Sequence, residues 1–160
     1  GSLAMSFIRA AKYYTKGYSE IQTKVRDATS NADQPPTGRM LNEISQMSFD
    51  PECLKAILEI LDKRLNDKGK NWRHVYKSLL VLDYLLHSGS EAVVMYFQTN
   101  AYLIKTLTDF QHVDEESNKD HGASVRSRAK DIANLLSDET RLRQTRRNRA
   151  EMRDRMMGKK

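Results

Sequence analysis

The 160-residue sequence has one cysteine, three prolines and no apolar run near the ~18 residues a membrane-spanning helix requires. A lone thiol, Cys53, cannot form an internal disulfide, and the chain has no Asn-X-Ser/Thr sequon and no secretory apolar core. A reducing cytosol is the compartment expected of such a chain, with Cys53 as a small buried apolar residue. The prolines fall at positions 35, 36 and 51, so no proline interrupts helix after Pro51. Strand signals are as scarce, because no hairpin dipeptide joins two alternating runs. Patterns for catalysis are missing too. The histidines at 74, 87, 112 and 121 have no metal-ligand spacing, and Gly69-Lys70 lacks the earlier glycine and the Ser/Thr of a phosphate-binding loop. These absences leave a binding domain rather than an enzyme, with no cofactor or metal expected.

What is present is helical periodicity and segregated charge. The net charge of +6 is misleading as a global figure. Residues 141–160 carry seven Arg and two Lys against Glu151 and Asp154, a local +7 that leaves the other 140 residues at −1. Any cationic site on the folded part must therefore come from local clustering. Residues 63–77 supply one, with Lys63, Arg64, Lys68, Lys70, Arg73, His74 and Lys77 against Asp67 alone. Residues 109–120 form an acidic counterpart.

The periodicity predicts an all-α domain of seven or eight helices. Ser19 is a plausible cap for a helix burying Ile21, Val25 and Ala28. Pro35-Pro36 enforces a loop, and a short helix over 38–47 follows. Asp50-Pro51-Glu52 starts a helix that carries Leu54, Ile57, Leu58, Leu61 and Leu65. The most apolar helix, about 71–87, turns Trp72, Val75, Leu79, Leu82 and Leu86 to a core. Ser90 opens the next, and Asn100 is expected to cap one more to about Phe110. Two last helices begin near Ser124 and Asp138, the second dissolving into the arginine-rich tail. Consecutive pairs are expected to stack as a curved superhelix.

Two stretches point to function. In Met5–Lys16, wound at 100° per residue, Phe7, Ala10, Ala11 and Tyr14 share one face with Ile8 at its edge, while Arg9, Lys12 and Lys16 lie opposite. An apolar stripe backed only by cations suits a helix lying in an anionic bilayer surface. Twelve residues are too few for dependable helix in water, so the segment reads as one ordered by its target. Capping a neighbouring core, or calmodulin-type recognition, would use the same pattern. The second stretch is the cationic stripe Lys70, Arg73, His74 and Lys77 beside the turn holding Arg64 and Lys68. Such charges repel one another until a multiply charged anion, such as a polyphosphate, arrives. The positive end of a helix dipole lies at the same place.

At this point the residues become recognisable. Lys24-Val25-Arg26-Asp27-Ala28-Thr29-Ser30-Asn31, the run Lys63-Arg64-Leu65-Asn66-Asp67-Lys68-Gly69-Lys70-Asn71-Trp72-Arg73-His74-Val75, and Leu82-Asp83-Tyr84-Leu85-Leu86 with Gly89-Ser90-Glu91 resemble the epsin N-terminal homology (ENTH) domain. Thr106–His112 and Val125–Lys130 extend the likeness, which covers about residues 5–145. The Lys16-Gly17-Tyr18-Ser19 junction is closer to fungal epsins than to animal ones. The resemblance implies a compact, right-handed superhelical domain that binds phosphatidylinositol 4,5-bisphosphate on the inner plasma membrane at endocytic sites. By position, it implies a headgroup pocket of Arg9, Lys12, Arg26, Asn31, Arg64, Lys70, His74 and Lys77, to which the charge stripe adds Arg73. Phe7, Ile8, Ala11 and Tyr14 become the membrane-inserting residues of an amphipathic helix that promotes curvature. Animal epsins carry a second arginine where Ile8 stands, a departure that trades a phosphate contact for apolar depth.

The division expected is a cleavage scar at 1–4, an inducible helix at 5–16, the ENTH domain at 17–145, and a basic tail at 146–160 leading toward a disordered region. The resemblance also implies an ANTH-domain adaptor as co-assembly partner, and clathrin, adaptors and ubiquitin as partners of segments beyond this chain. A protein-interaction module of the related VHS type, without lipid insertion, is the alternative. The arginine-rich tail lacks interleaved aromatics, so no specific nucleic-acid binding is expected.

Overall fold

The apolar positions spaced by three and four residues wind into the helices that the periodicity predicts. The computed structural model describes residues 20–158, with side chains to 156. The first described helix, α1, covers residues 20–28. It is followed by α2 (Gly38–Met47), α3 (Pro51–Leu65), a 3₁₀ turn (Gly69–Asn71) and α4 (Trp72–Ser88). Then come α5 (Glu91–Thr99), α6 (Tyr102–Lys105) with a 3₁₀ continuation (Thr106–Asp109), α7 (Gly122–Ser137) and α8 (Glu139–Gly158). Among the described residues the only strand-like pairing is an isolated antiparallel bridge between Val113 and Asp120. The inducible helix, with Phe7, Ile8, Arg9, Ala11, Lys12 and Tyr14, and the Ser19 cap lie outside the described residues.

Local hydrogen bonds start the helices where the sequence signals them. Asp50 accepts from the Cys53 amide at 3.0 Å, with Pro51 in the first turn. Thr37 Oγ1 accepts from the Met40 amide at 3.2 Å, and Ser90 Oγ from Ala92 at 3.2 Å. Such caps satisfy amides that the helix itself leaves unpaired.

Helix α4 is the axis of the domain. It is buried on more than one side, through Val75, Leu79, Val81, Leu82, Leu85 and Leu86, and so packs against α2, α3, α5, α7 and α8. Ile21, Val25 and Ala28 of α1 are fully buried, as are Ile57 and Leu61 of α3. Trp72 is only half-buried at the end of the predicted core face. Ser48 knits two turns together: its hydroxyl donates to the Ser45 carbonyl at 2.6 Å and accepts from the Ser90 amide at 3.0 Å.

Three expectations are corrected. Asn100 does not cap the following helix; its side-chain amide donates backward to the Tyr96 carbonyl at 2.8 Å, closing α5 instead. Cys53 is half-buried rather than buried, and burial, helped by Asp50, pushes its thiol up to about 11, so it stays protonated at neutral pH. The basic tail does not dissolve, since α8 stays helical to Gly158. The reason is that its arginines find fixed acceptors: Arg146 donates to the carbonyls of Leu86 and Gly89, both at 2.7 Å, and Arg143 pairs with Glu91 and Glu139. Beside them Leu142 is fully buried.

Candidate functional site

The cationic cluster forms where three segments meet at the start of α4. The turn after α3 reaches α4 through Gly69, whose φ of +59° is a left-handed conformation that L side chains rarely adopt. This tight turn sets Lys68 and Lys70, both exposed, on either side of it. No side chain caps the amides of α4, and its first turn holds no acid, so no group of α4 itself opposes the positive end of the helix dipole there. Asn71, at the cap position, accepts at 3.0 Å from the side-chain amide of Asn31, which draws the loop after α1 over the helix start.

The cations expected to act alike have different surroundings. Arg26 and Lys70 are exposed and make no ion pair among the described residues. Arg64 is half-buried and closes α1: its Nη1 donates to the carbonyls of Arg26 and Thr29, at 3.0 and 2.8 Å, and to Thr29 Oγ1 at 2.9 Å. Burial, and next the Arg26 charge, hold the Arg64 guanidinium below its ordinary value. Lys77 departs furthest from expectation. It is 4% exposed, and its Nζ donates to the Ala32 carbonyl at 2.6 Å, so it anchors the loop from within. Burial first, and then Arg73, lower its pKa.

Two carboxylates stand inside the rim as well. Asp33 lies 3.1 Å from Arg73 Nη2, and Asp67 lies 2.8 Å from His74 Nδ1. Arg73 also sits over the Trp72 ring at 4.6 Å, and the far face of that cluster is closed by His121, stacked on Trp72 at 4.3 Å and 9°. The described rim thus joins Arg26, Asn31, Arg64, Lys70, Arg73 and His74 around one helix end, with Lys77 beneath. Sequence reasoning missed the pairing role of both acids. Asp67 was visible as the sole acid of residues 63–77, but Asp33 sits in an aperiodic loop where spacing carries no signal.

A helix terminus with convergent cations and carboxylate counter-charges can exchange those carboxylates for phosphate oxygens, to which the arginine forks and backbone amides donate in the same way. No helix among the described residues is long and apolar enough to cross a membrane, and no group of three potential metal ligands is found among them.

Comparison with known proteins gives the geometry its context. The ENTH domain family model matches residues 18–142. The chain is 46% identical over 139 residues to Epsin-1 of Schizosaccharomyces pombe, covering 87% of this chain and 20% of the relative. It is 49% identical over 144 residues to Epsin-2 of Saccharomyces cerevisiae, covering 90% and 23%. The chain therefore spans about a fifth to a quarter of the length of these relatives. Among solved structures, the ENTH domain from epsin-2 in complex with phosphatidylinositol 4,5-bisphosphate is similar with a TM-score of 0.80 and 49% identity, covering 88% of this chain and 99% of that one. Helical ANTH and ENTH tubules on PI(4,5)P2-containing membranes match at 0.74 and 43%, covering 96% and 99%. The endocytic adaptor complex AENTH matches at 0.79 and 45%, covering 91% and 99%.

Proposed function

The chain belongs to the ENTH domain family, and we propose that it is a membrane-adaptor domain that binds phosphatidylinositol 4,5-bisphosphate at the start of α4. The observation that carries this reading is the meeting of exposed Arg26 and Lys70 with a helix N-terminus that no side chain caps, where the carboxylates of Asp33 and Asp67 face Arg73 and His74. The bisphosphate complex of the epsin-2 ENTH domain and the ENTH tubules on PI(4,5)P2 membranes support the ligand. Headgroup phosphates displace Asp33 and Asp67 from the rim. Arg9 and Lys12, from residues 5–16, add their charges, and the neutralised segment winds into a helix. Phe7 and Ile8, backed by Ala11 and Tyr14, then wedge between lipids and promote curvature.

On this reading the domain is a binder rather than an enzyme and acts on the cytoplasmic face of the plasma membrane in clathrin-mediated endocytosis. An ANTH-domain adaptor is the proposed partner in co-assembly, as the AENTH complex suggests. Clathrin, adaptors and ubiquitin would be engaged by segments outside this chain.

Sedimentation with vesicles of phosphatidylcholine and phosphatidylserine, with and without the bisphosphate lipid, tests the reading. Lys70→Glu and Arg26→Glu are the informative variants, because neither side chain holds the fold together. Both should abolish the bisphosphate-dependent fraction, while Phe7→Ser should retain soluble headgroup binding and lose vesicle deformation. Equal sedimentation with and without the bisphosphate lipid would reject lipid recognition in favour of a pure protein-interaction module.

A further inference from the structure

Helix α8 has two halves with different surroundings. The first is pinned by Arg143, Arg146 and buried Leu142. The second runs past α2 and the end of α4 and leaves a groove of about 530 Å³, lined by Gln46, Tyr84, Arg149, Met152, Arg153 and Met156 among others. Around Ser88 and Arg153 it joins a second hollow of about 350 Å³ that reaches Phe49. Phe49, Met152 and Met156 are 57%, 56% and 79% exposed, three of the six large apolar side chains so exposed among the described residues. Their gathering along one groove is what marks a docking surface, since scattered exposed apolar residues are ordinary.

The charge around this floor has one sign. Arg149 lies 5.1 Å from the Tyr84 ring, and Arg153 and Arg147 stand beside it. The one carboxylate in the lining, Glu91, is already engaged by Arg143 and Arg146 of the same helix. Methionines adapt to different apolar partners, and arginine forks match carboxylates. A bilayer would offer the same chemistry, but the position argues against it. The groove lies at the C-terminal end of α4, whose 17 residues set it roughly 25 Å from the rim at Lys70. If the rim faces lipid, as proposed above, this end of the same rod faces away from it.

We propose that the groove between α2 and the distal half of α8 docks an acidic amphipathic segment of a partner protein. Its apolar side chains seat on Met152 and Met156 beside Tyr84, and its carboxylates pair with Arg149 and Arg153. Selecting a library of random 16-residue peptides on the intact 160-residue chain, and measuring the enriched peptides by fluorescence anisotropy, tests this. Enriched peptides should combine acidic and apolar residues. Their affinity should fall tenfold or more with Arg149→Glu plus Arg153→Glu, and likewise with Met152→Ser plus Met156→Ser, both with unchanged circular dichroism. Lys70→Glu and added soluble bisphosphate headgroup should leave that affinity unaltered. Peptides without acid, or indifferent to both double variants, would overturn the proposal. So would loss of phosphatidylserine-vesicle sedimentation in the methionine variant, which would make the groove a lipid contact, or conversion of a dimer to monomer, which would make it a contact between copies. Absence of bisphosphate recognition in the parent chain, with peptide binding intact, would reject the lipid reading, and with it the positional argument against a bilayer, while leaving the groove assignment standing on charge and shape.

Discussion

Two lysines of the rim show how little a charge says about its role. Lys77 is buried with its ammonium on the Ala32 carbonyl, whereas Lys70 is exposed and without an ion pair among the described residues. Lys77→Met should cost about 1–3 kcal/mol in urea denaturation, because the carbonyl loses a charged donor and the loop its anchor. Lys70→Met should stay within about 0.5 kcal/mol of the parent, as surface changes do, and yet weaken binding of soluble bisphosphate headgroup measured by calorimetry. Asp33→Asn should act in the opposite sense, since it removes the counter-charge 3.1 Å from Arg73. A several-fold gain in headgroup affinity is the expected outcome, and unchanged affinity would mean that Asp33 does not compete with phosphate.

Among elements, α8 and the loop between the 3₁₀ segment Thr106–Asp109 and α7 are each tied back by an arginine that reaches distant carbonyls. Arg146 reaches back about sixty residues to the carbonyls that end α4. Its replacement by Met should lower stability by about 1–3 kcal/mol, with Arg155→Met near zero as the control. Arg126 closes the acidic loop by donating to Phe110 O at 2.9 Å and to Asp120 at 2.7 Å. That pairing, chiefly the hydrogen bond, holds the Asp120 carboxyl below its ordinary value of 3.8. A carboxylate with a lowered native pKa contributes fully above its ordinary value and loses its contribution as pH falls through the native one. The loop should therefore keep its geometry from neutral pH down to 3.8 and open only in stronger acid. The NMR amide shift of Gly122, paired within the loop with the His112 carbonyl, reports this, and Asp120→Asn should remove its transition.

At the scale of the molecule, charge is divided between the ends of α4, with the specific rim at its start and the arginine-rich helix across its end. Replacing Arg147, Arg149, Arg153 and Arg155 by Gln should leave sedimentation with bisphosphate-containing vesicles near the parent level, since this end of α4 faces away from the bound bilayer. Affinity for the soluble headgroup should be unchanged, because none of these side chains reaches the rim. A parallel loss of both would show that the two ends act together.

Helix positions, the caps at Asp50 and Ser90, the core face of α4 and the clustering of cations near its start are all determined by the sequence alone. Each is encoded within a few residues, by periodicity or by a side chain bonding a nearby amide. Which cations stay available was decided only by the tertiary structure. Arg64 finds Thr29 across 35 residues, Lys77 finds Ala32 across 45, and Arg146 finds Leu86 across 60. No local pattern encodes an acceptor so far along the chain, so a buried anchor and an open ligand site look identical until the helices pack.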